Sequence, residues 1–151
     1  MNAKYLFGLL LIILIGGCGR TPLNPTLVEL EDMADTTPEV ALDSLHRISK
    51  ECLSGADKVY YDFLSVKLAD KAVINHTSDS VIVPVIDYYS SHGTKDRYTE
   101  ALYYGGRVYH DIGDYPSAIK YYRAALNMIG DDRKSLTLIP QHYNLTLFLS
   151  S

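Results

Sequence analysis

The sequence has no tryptophan and only two cysteines, Cys18 and Cys52, among 151 residues. At most one bridge could form, so a disulfide-stapled scaffold is excluded. Neither sign of charge dominates: 14 basic residues face 18 acidic ones, for a net charge of −4. That balance leaves no basic footprint for nucleic acid. A hydrophobic content of 47% is too high for wholesale disorder. No glycine-rich phosphate loop, HExxH or CxxC motif is present. The histidines, His46, His76, His92, His110 and His142, are scattered without helical metal-ligand spacing. The expectation is a non-catalytic protein that needs neither cofactor nor metal. A long hydrophobic run is also missing. The longest, Tyr5–Ile15, falls well short of the roughly 20 apolar residues that an ordinary membrane-spanning helix needs.

Lys4 precedes that run and Ile15-Gly16-Gly17-Cys18 closes it. A charged end, an apolar centre and small residues at the close are the layout of a secretory signal. The last four residues resemble the lipobox of bacterial lipoproteins. The resemblance implies cleavage before Cys18, a diacylglycerol on its sulfur and an acylated new amino end. Several acyl chains on one residue give stable anchoring where one would be marginal. Residues 1–17 then form a signal peptide. Residues 18–26, with Pro22 and Pro25, form the lipidated cysteine and its tether. Lys4 is the only charged residue lost, so the mature chain has 134 residues and a net charge of −5. Gly19, rather than an acidic residue, follows Cys18; by resemblance to a Gram-negative sorting pattern this points to the outer membrane, with either face open. Cys52 is left as a lone thiol, expected to be a small, partly buried hydrophobe.

Residues 27–130 alternate apolar helical stretches with short breaks, and the clearest unit is 99–130. Leu102, Gly105, Gly106 and Tyr109 share one helical face. Glycine inside a helix costs about 1 kcal/mol relative to alanine, which suggests a second helix passing close by. Gly113-Asp114 breaks the helix, Pro116 is tolerated near the next start, and Ala118, Tyr122, Ala125 and Leu126 make the following apolar face.

This unit resembles a tetratricopeptide repeat, a helix-turn-helix of 34 residues. The matching residues are Leu102, Gly106, Tyr109, Gly113, Ala118, Tyr122 and Ala125. Leu102 replaces the family's first aromatic and Gly130 its closing proline. A first copy pairs a helix near Thr26–Ala34, bearing Leu27, Leu30 and Met33 or Ala34, with one carrying Ala41, Leu45 and Ile48. A middle copy runs from about Ala56 to Ser90. Its first helix bears Tyr61, Leu64, Ser65 and Leu68. Its second, near Val81–Ser90, is expected to turn Val81, Val85 and Tyr88 inward. The β-branched run through Val81–Ile86 favours a strand by propensity, and Pro84 fits a helix if Ser80 caps it. The anchors Ala41, Val81 and Ala118 lie 40 and 37 residues apart, which calls for somewhat longer turns than the family period.

The fold class so implied is all-α: a right-handed superhelical solenoid of about three helix pairs. Residues 131–151 read as the start of a further helix. Their close, with Leu145, Leu147 and Leu149, is apolar, whereas repeat arrays end in a polar cap, so an interrupted chain is expected. The whole resembles the amino-terminal part of longer tetratricopeptide lipoproteins.

In the family the first helix of each repeat lines a concave groove. Carried over, the groove residues are Glu100, Tyr103, Arg107, His110 and Asp111, and in the middle unit Asp62, Val66, Ala69 and Asp70. Most of the other tyrosines are expected in the core. The implied function is a lipid-anchored scaffold that binds a protein or peptide in the cell envelope, probing neither nucleic acid nor metal. Two alternatives stand beside it. One is a glycan-binding outer-membrane lipoprotein of the starch-binding type, although such proteins are longer and often use tryptophan. The other is the sensor fragment of a longer regulatory protein.

Overall fold

A computed structural model describes residues 23–129, and every regular element among them is helical. The order is α1 (Pro25–Asp32), α2 (Pro38–His46), a 3-10 turn (Lys50–Cys52), α3 (Gly55–Lys71), α4 (Ile82–His92), α5 (Lys95–Asp111) and α6 (Tyr115–Ile129). The signal segment, Cys18 and residues 130–151 lie outside the described residues.

The helix ends follow local chemistry. The Asn24 side chain accepts from the Thr26 N–H at 3.0 Å, and Pro25 occupies the first turn of α1, where an N–H has no helical partner. Thr94 caps α5 by accepting from the Arg97 N–H at 3.2 Å. Gly113 ends α5 with φ at +83°, a conformation that a Cβ would strain. The Asp114 carboxylate then accepts from the Ser117 N–H to start α6.

Helix α4 forms despite its β-branched sequence. Pro84 is its third residue, so its missing N–H falls among donors that have no helical acceptor anyway. Two expectations need correction here. Ser80 does not cap the helix, because α4 begins one residue later, after Val81. The inward face is Ile82, Val85, Ile86 and Tyr89, with Val81 exposed and Tyr88 half-buried. That set follows the spacing of three and four and is the most apolar stripe available. Helix α3 shows a similar shift. Tyr60 and Phe63 are buried beside Leu64 and Leu68, while Tyr61 and Ser65 are half-buried. In the first unit Leu27, Leu30, Ala34, Ala41 and Leu45 are buried as the pattern implied.

Successive helices pack on one another, and α3 also contacts both α1 and α5. Helices α1, α3 and α5 run the same way. At one end the Asn24 N–H donates to Asp57 at 2.9 Å, joining the starts of α1 and α3. At the other, Lys71 pairs with Asp35 and the His76 N–H donates to Asp111 at 3.1 Å, joining the regions where all three finish. With 17 residues, α3 separates these ends by about 25 Å.

The core is aromatic. Phe63 meets Tyr89 and Tyr104 edge-on at 5.9 and 5.8 Å, a favoured quadrupolar arrangement. Helix α5 is the most enclosed element, held between α4 and α6. A Cβ on Gly105 would come within 2.7 Å of Ile86 Cδ1, and one on Gly106 within 2.3 Å of Tyr122 Cδ1. Here lies the reason for two glycines inside a helix: the backbone itself is the contact surface.

Candidate functional site

The five residues assigned to the groove lie along α5, but burial divides them. Tyr103 is completely buried. Arg107, 7% exposed, donates from Nε to Asp70 Oδ1 of α3 at 2.6 Å, and Asp70 is itself buried. Asp111 lies 3.6 Å from Arg107 Nη2 and accepts the His76 N–H. Glu100 accepts from Lys67 at 2.6 Å and from Arg97 at 3.1 Å. Only His110 keeps a substantial part of its side chain, 37%, in solvent. The expectation of five residues presented together to a partner is therefore corrected for Tyr103, which is core, and for Arg107, which is an inter-helix ion pair.

The middle unit's face is similarly engaged. Val66 is buried, Asp62 pairs with Lys50 at 2.6 Å, and Asp70 holds Arg107.

The residues that organise this face are Glu31, Lys67, Arg97 and Glu100, drawn from α1, α3 and α5. Arg97 grips Glu31 through two nitrogens, at 2.6 and 2.9 Å, a bidentate geometry that favours strong pairing. Lys67 sits between Glu31 at 2.8 Å and Glu100 at 2.6 Å. The Tyr60 hydroxyl donates to Glu31 as well. Below the ions, the Arg97 guanidinium lies 4.8 Å from the Phe63 ring centre and 5.1 Å from that of Tyr60. The two carboxylates and two cations cancel, as burial requires.

Titration follows from this arrangement. Burial pushes the Glu31 carboxyl up, but the Arg97 hydrogen bonds and the Lys67 and Arg97 charges outweigh it and hold it at about 2. Burial opposes the charge on Lys67, yet Glu100 and Glu31 together raise its pKa. Burial followed by the Glu31 hydrogen bond raises Tyr60. Of these residues only Glu100 was legible beforehand as a groove position. Glu31, Lys67 and Arg97 had no signal, because charges 36 and 30 residues apart reveal nothing until the helices align. Beside Arg107, Asp70 and Asp111, His76 is lowered by burial, partly offset by Asp111 and Asp70, and its buried Nε2 has no hydrogen-bond partner.

An open cavity of about 550 Å³, sharing Arg97 with the ion cluster around Glu31, lies at the end where α1, α3 and α5 begin. Leu23, Ala56, Tyr88, Tyr89, His92 and Arg97 are among its walls. Cys52 is a free thiol and exposed, not partly buried as expected, because it sits in the 3-10 turn outside the helical packing. Among the described residues no three His, Cys, Asp or Glu side chains group as metal ligands, and no helix is long and apolar enough to cross a membrane.

Comparison with protein-family models, with curated proteins and with solved structures finds no match to this chain.

Proposed function

We propose that this chain is a non-catalytic lipoprotein, anchored through Cys18 in the cell envelope, whose helix pairs form a tetratricopeptide-like solenoid that binds a protein or peptide. The observation that carries this reading is the parallel alignment of α1, α3 and α5, each followed by a second helix. Parallel first helices give a repeat array one continuous face, as solenoid stacking requires. Gly106 against Tyr122 supports it further, since both are positions through which the sequence resembles the repeat.

That face is polar and internally neutralised. Lys67, Arg97 and Arg107 already hold carboxylates of this chain. A simple clamp for a peptide carboxylate is therefore not the mode proposed. A partner gains most by contacting the exposed rim, of which His110 is a part, with extended or helical peptide as the fitting chemistry.

The test is capture from solubilised membranes with the chain lacking its signal peptide and Cys18, set against the His110→Ala variant. A partner retained by the parent and lost at least tenfold by the variant, with equal melting temperatures, is the expected result. Equal recovery by both would refute the placement of the partner on this face.

A further inference from the structure

The cavity and the tether lie at the same end of the molecule. Leu23, the first described residue, is 37% exposed and is one wall of the cavity. Other walls are aromatic. Tyr88 and His92 stack at 4.6 Å with 15° between their planes, and Tyr88 meets Tyr89 edge-on at 5.5 Å. Such rings combine an apolar body with a polar tip, the chemistry favoured at a membrane–water boundary.

Chain length fixes how far this end can stand from the anchor. Five peptide steps join Cys18 to Leu23, spanning at most about 18 Å even when fully extended. That is shorter than the ~25 Å that separates the two ends of α3. With Cys18 lipidated, the cavity can stand no further than that span from the bilayer, while the exposed Val73 and Ile74 lie at the other end, just past α3. Charges at this end offset one another: Asp57 and Lys58 in the first turn of α3, Lys95 and Asp96 in the first turn of α5, and Lys50 and Glu51 in the 3-10 turn. Arg97 is already paired with Glu31 and Glu100.

From these observations we infer that the tether end of the helix stack docks on the bilayer that holds the anchor, the cavity receiving the glycerol and upper acyl region of a phospholipid. The inference rests on the lipid anchor proposed above. With no net charge at the rim, docking needs no anionic lipid and is insensitive to salt.

The exposed Cys52, three residues before α3, is a native labelling point at this end. The full lipidated chain, carrying a fluorophore on Cys52, is reconstituted into phosphatidylcholine vesicles whose acyl chains bear bromine near the glycerol. A second chain, Cys52→Ser with Val73→Cys, carries the same fluorophore at the far end. The expected result is at least twofold stronger quenching at the Cys52 position, unchanged by high salt or by added phosphatidylglycerol. His92→Asp, which sets a charge on the cavity wall, is expected to remove at least half of that quenching while helical circular dichroism is retained. Equal quenching at the two ends, or undiminished quenching in His92→Asp, overturns the proposal while leaving the anchor intact. Mass spectrometry of Cys18 with vesicle flotation separates the two readings: an unmodified Cys18 in a chain that does not float overturns the anchor, and this proposal with it.

Discussion

Replacing Gly106 with alanine tests the packing logic at its tightest point. The added methyl carbon would lie 2.3, 2.4 and 2.9 Å from three carbons of the Tyr122 ring. Real carbon contacts sit near 3.5–4.0 Å, so more than an ångström must be made up by movement. The ring has little room to yield, because Tyr122 is only 4% exposed and is packed against Tyr103 at 6.0 Å between centroids. A clash this deep falls in the upper part of the range for overpacking, about 2–3 kcal/mol. The gain in helix propensity from Gly to Ala returns about 1 kcal/mol. A net loss of about 1–2 kcal/mol remains, which lowers the melting temperature of a domain this size by roughly 4–10 °C.

Two sister substitutions calibrate the measurement. At Gly105 the nearest atom is the terminal methyl of Ile86, at 2.7 Å, which can rotate aside, and the Tyr121 ring stands further off at 3.3 and 3.4 Å, so Gly105→Ala is expected to cost clearly less than Gly106→Ala. At Gly55 nothing lies within 4 Å, and Gly55→Ala is expected to be neutral or stabilising by a few tenths of a kcal/mol. Thermal unfolding followed by far-ultraviolet circular dichroism gives the order. In a Tyr122→Ala background the Gly106→Ala penalty is expected to vanish, since the clashing ring is gone. A Gly106→Ala protein that melts at or above the parent, or a penalty that survives removal of the ring, would refute the close-approach account.

Two further predictions concern the ion pairs. Glu31 has a folded pKa of about 2, below its ordinary value of 4.5. Its contribution is therefore complete above pH 4.5 and is lost as the pH falls towards 2, about 3 kcal/mol in all. Urea titrations across that window should show this loss in the parent and little of it in Glu31→Gln; parallel curves would exclude Glu31 as the linked group. Arg107→Ala strands the buried Asp70 and should cost about 3–5 kcal/mol, whereas Arg107→Ala with Asp70→Ala should cost less than that single change. A double variant weaker than the single one would show that the two charges are not coupled.

The helix pairs were legible because punctuation and periodicity are local. Gly113-Asp114 acts within a few residues of itself and marks the helix boundary that the pattern implies, whereas the starts at Asn24-Pro25 and at Thr94 were not read beforehand, Pro25 having been placed in the tether. Most of the apolar stripes of α1, α2 and α6 were read correctly for the same reason, Leu27, Leu30, Ala41, Leu45, Ala118, Tyr122 and Ala125 being buried, although Ile48 and Leu126 are only half-buried. In α3 and α4 Leu64, Leu68 and Val85 were read as buried and are, while Tyr61, Val81 and Tyr88 were each read one residue away from the side chain that is buried. Both helices are apolar over a broad arc, so spacing alone does not select between Tyr60 and Tyr61, or between Ile82 and Val81. The candidate site was less legible. Tyr103 and Arg107 were placed on an open groove by their spacing along α5, but a helix surrounded on several sides has no single outward face.

The sequence by itself determined the helical class, the glycine step in α5 and the turn at Gly113, all consequences of backbone sterics and short-range periodicity. It also carries the apolar run and cysteine on which the proposed anchor rests. Only the tertiary structure decided where the charges went. Glu31, Lys67, Arg97 and Glu100 become one neutral cluster because three helices run parallel and in step, and Coulomb attraction acts on distance in space rather than along the chain. The same alignment gathers Leu23, Ala56 and the Tyr88–His92 pair around one cavity.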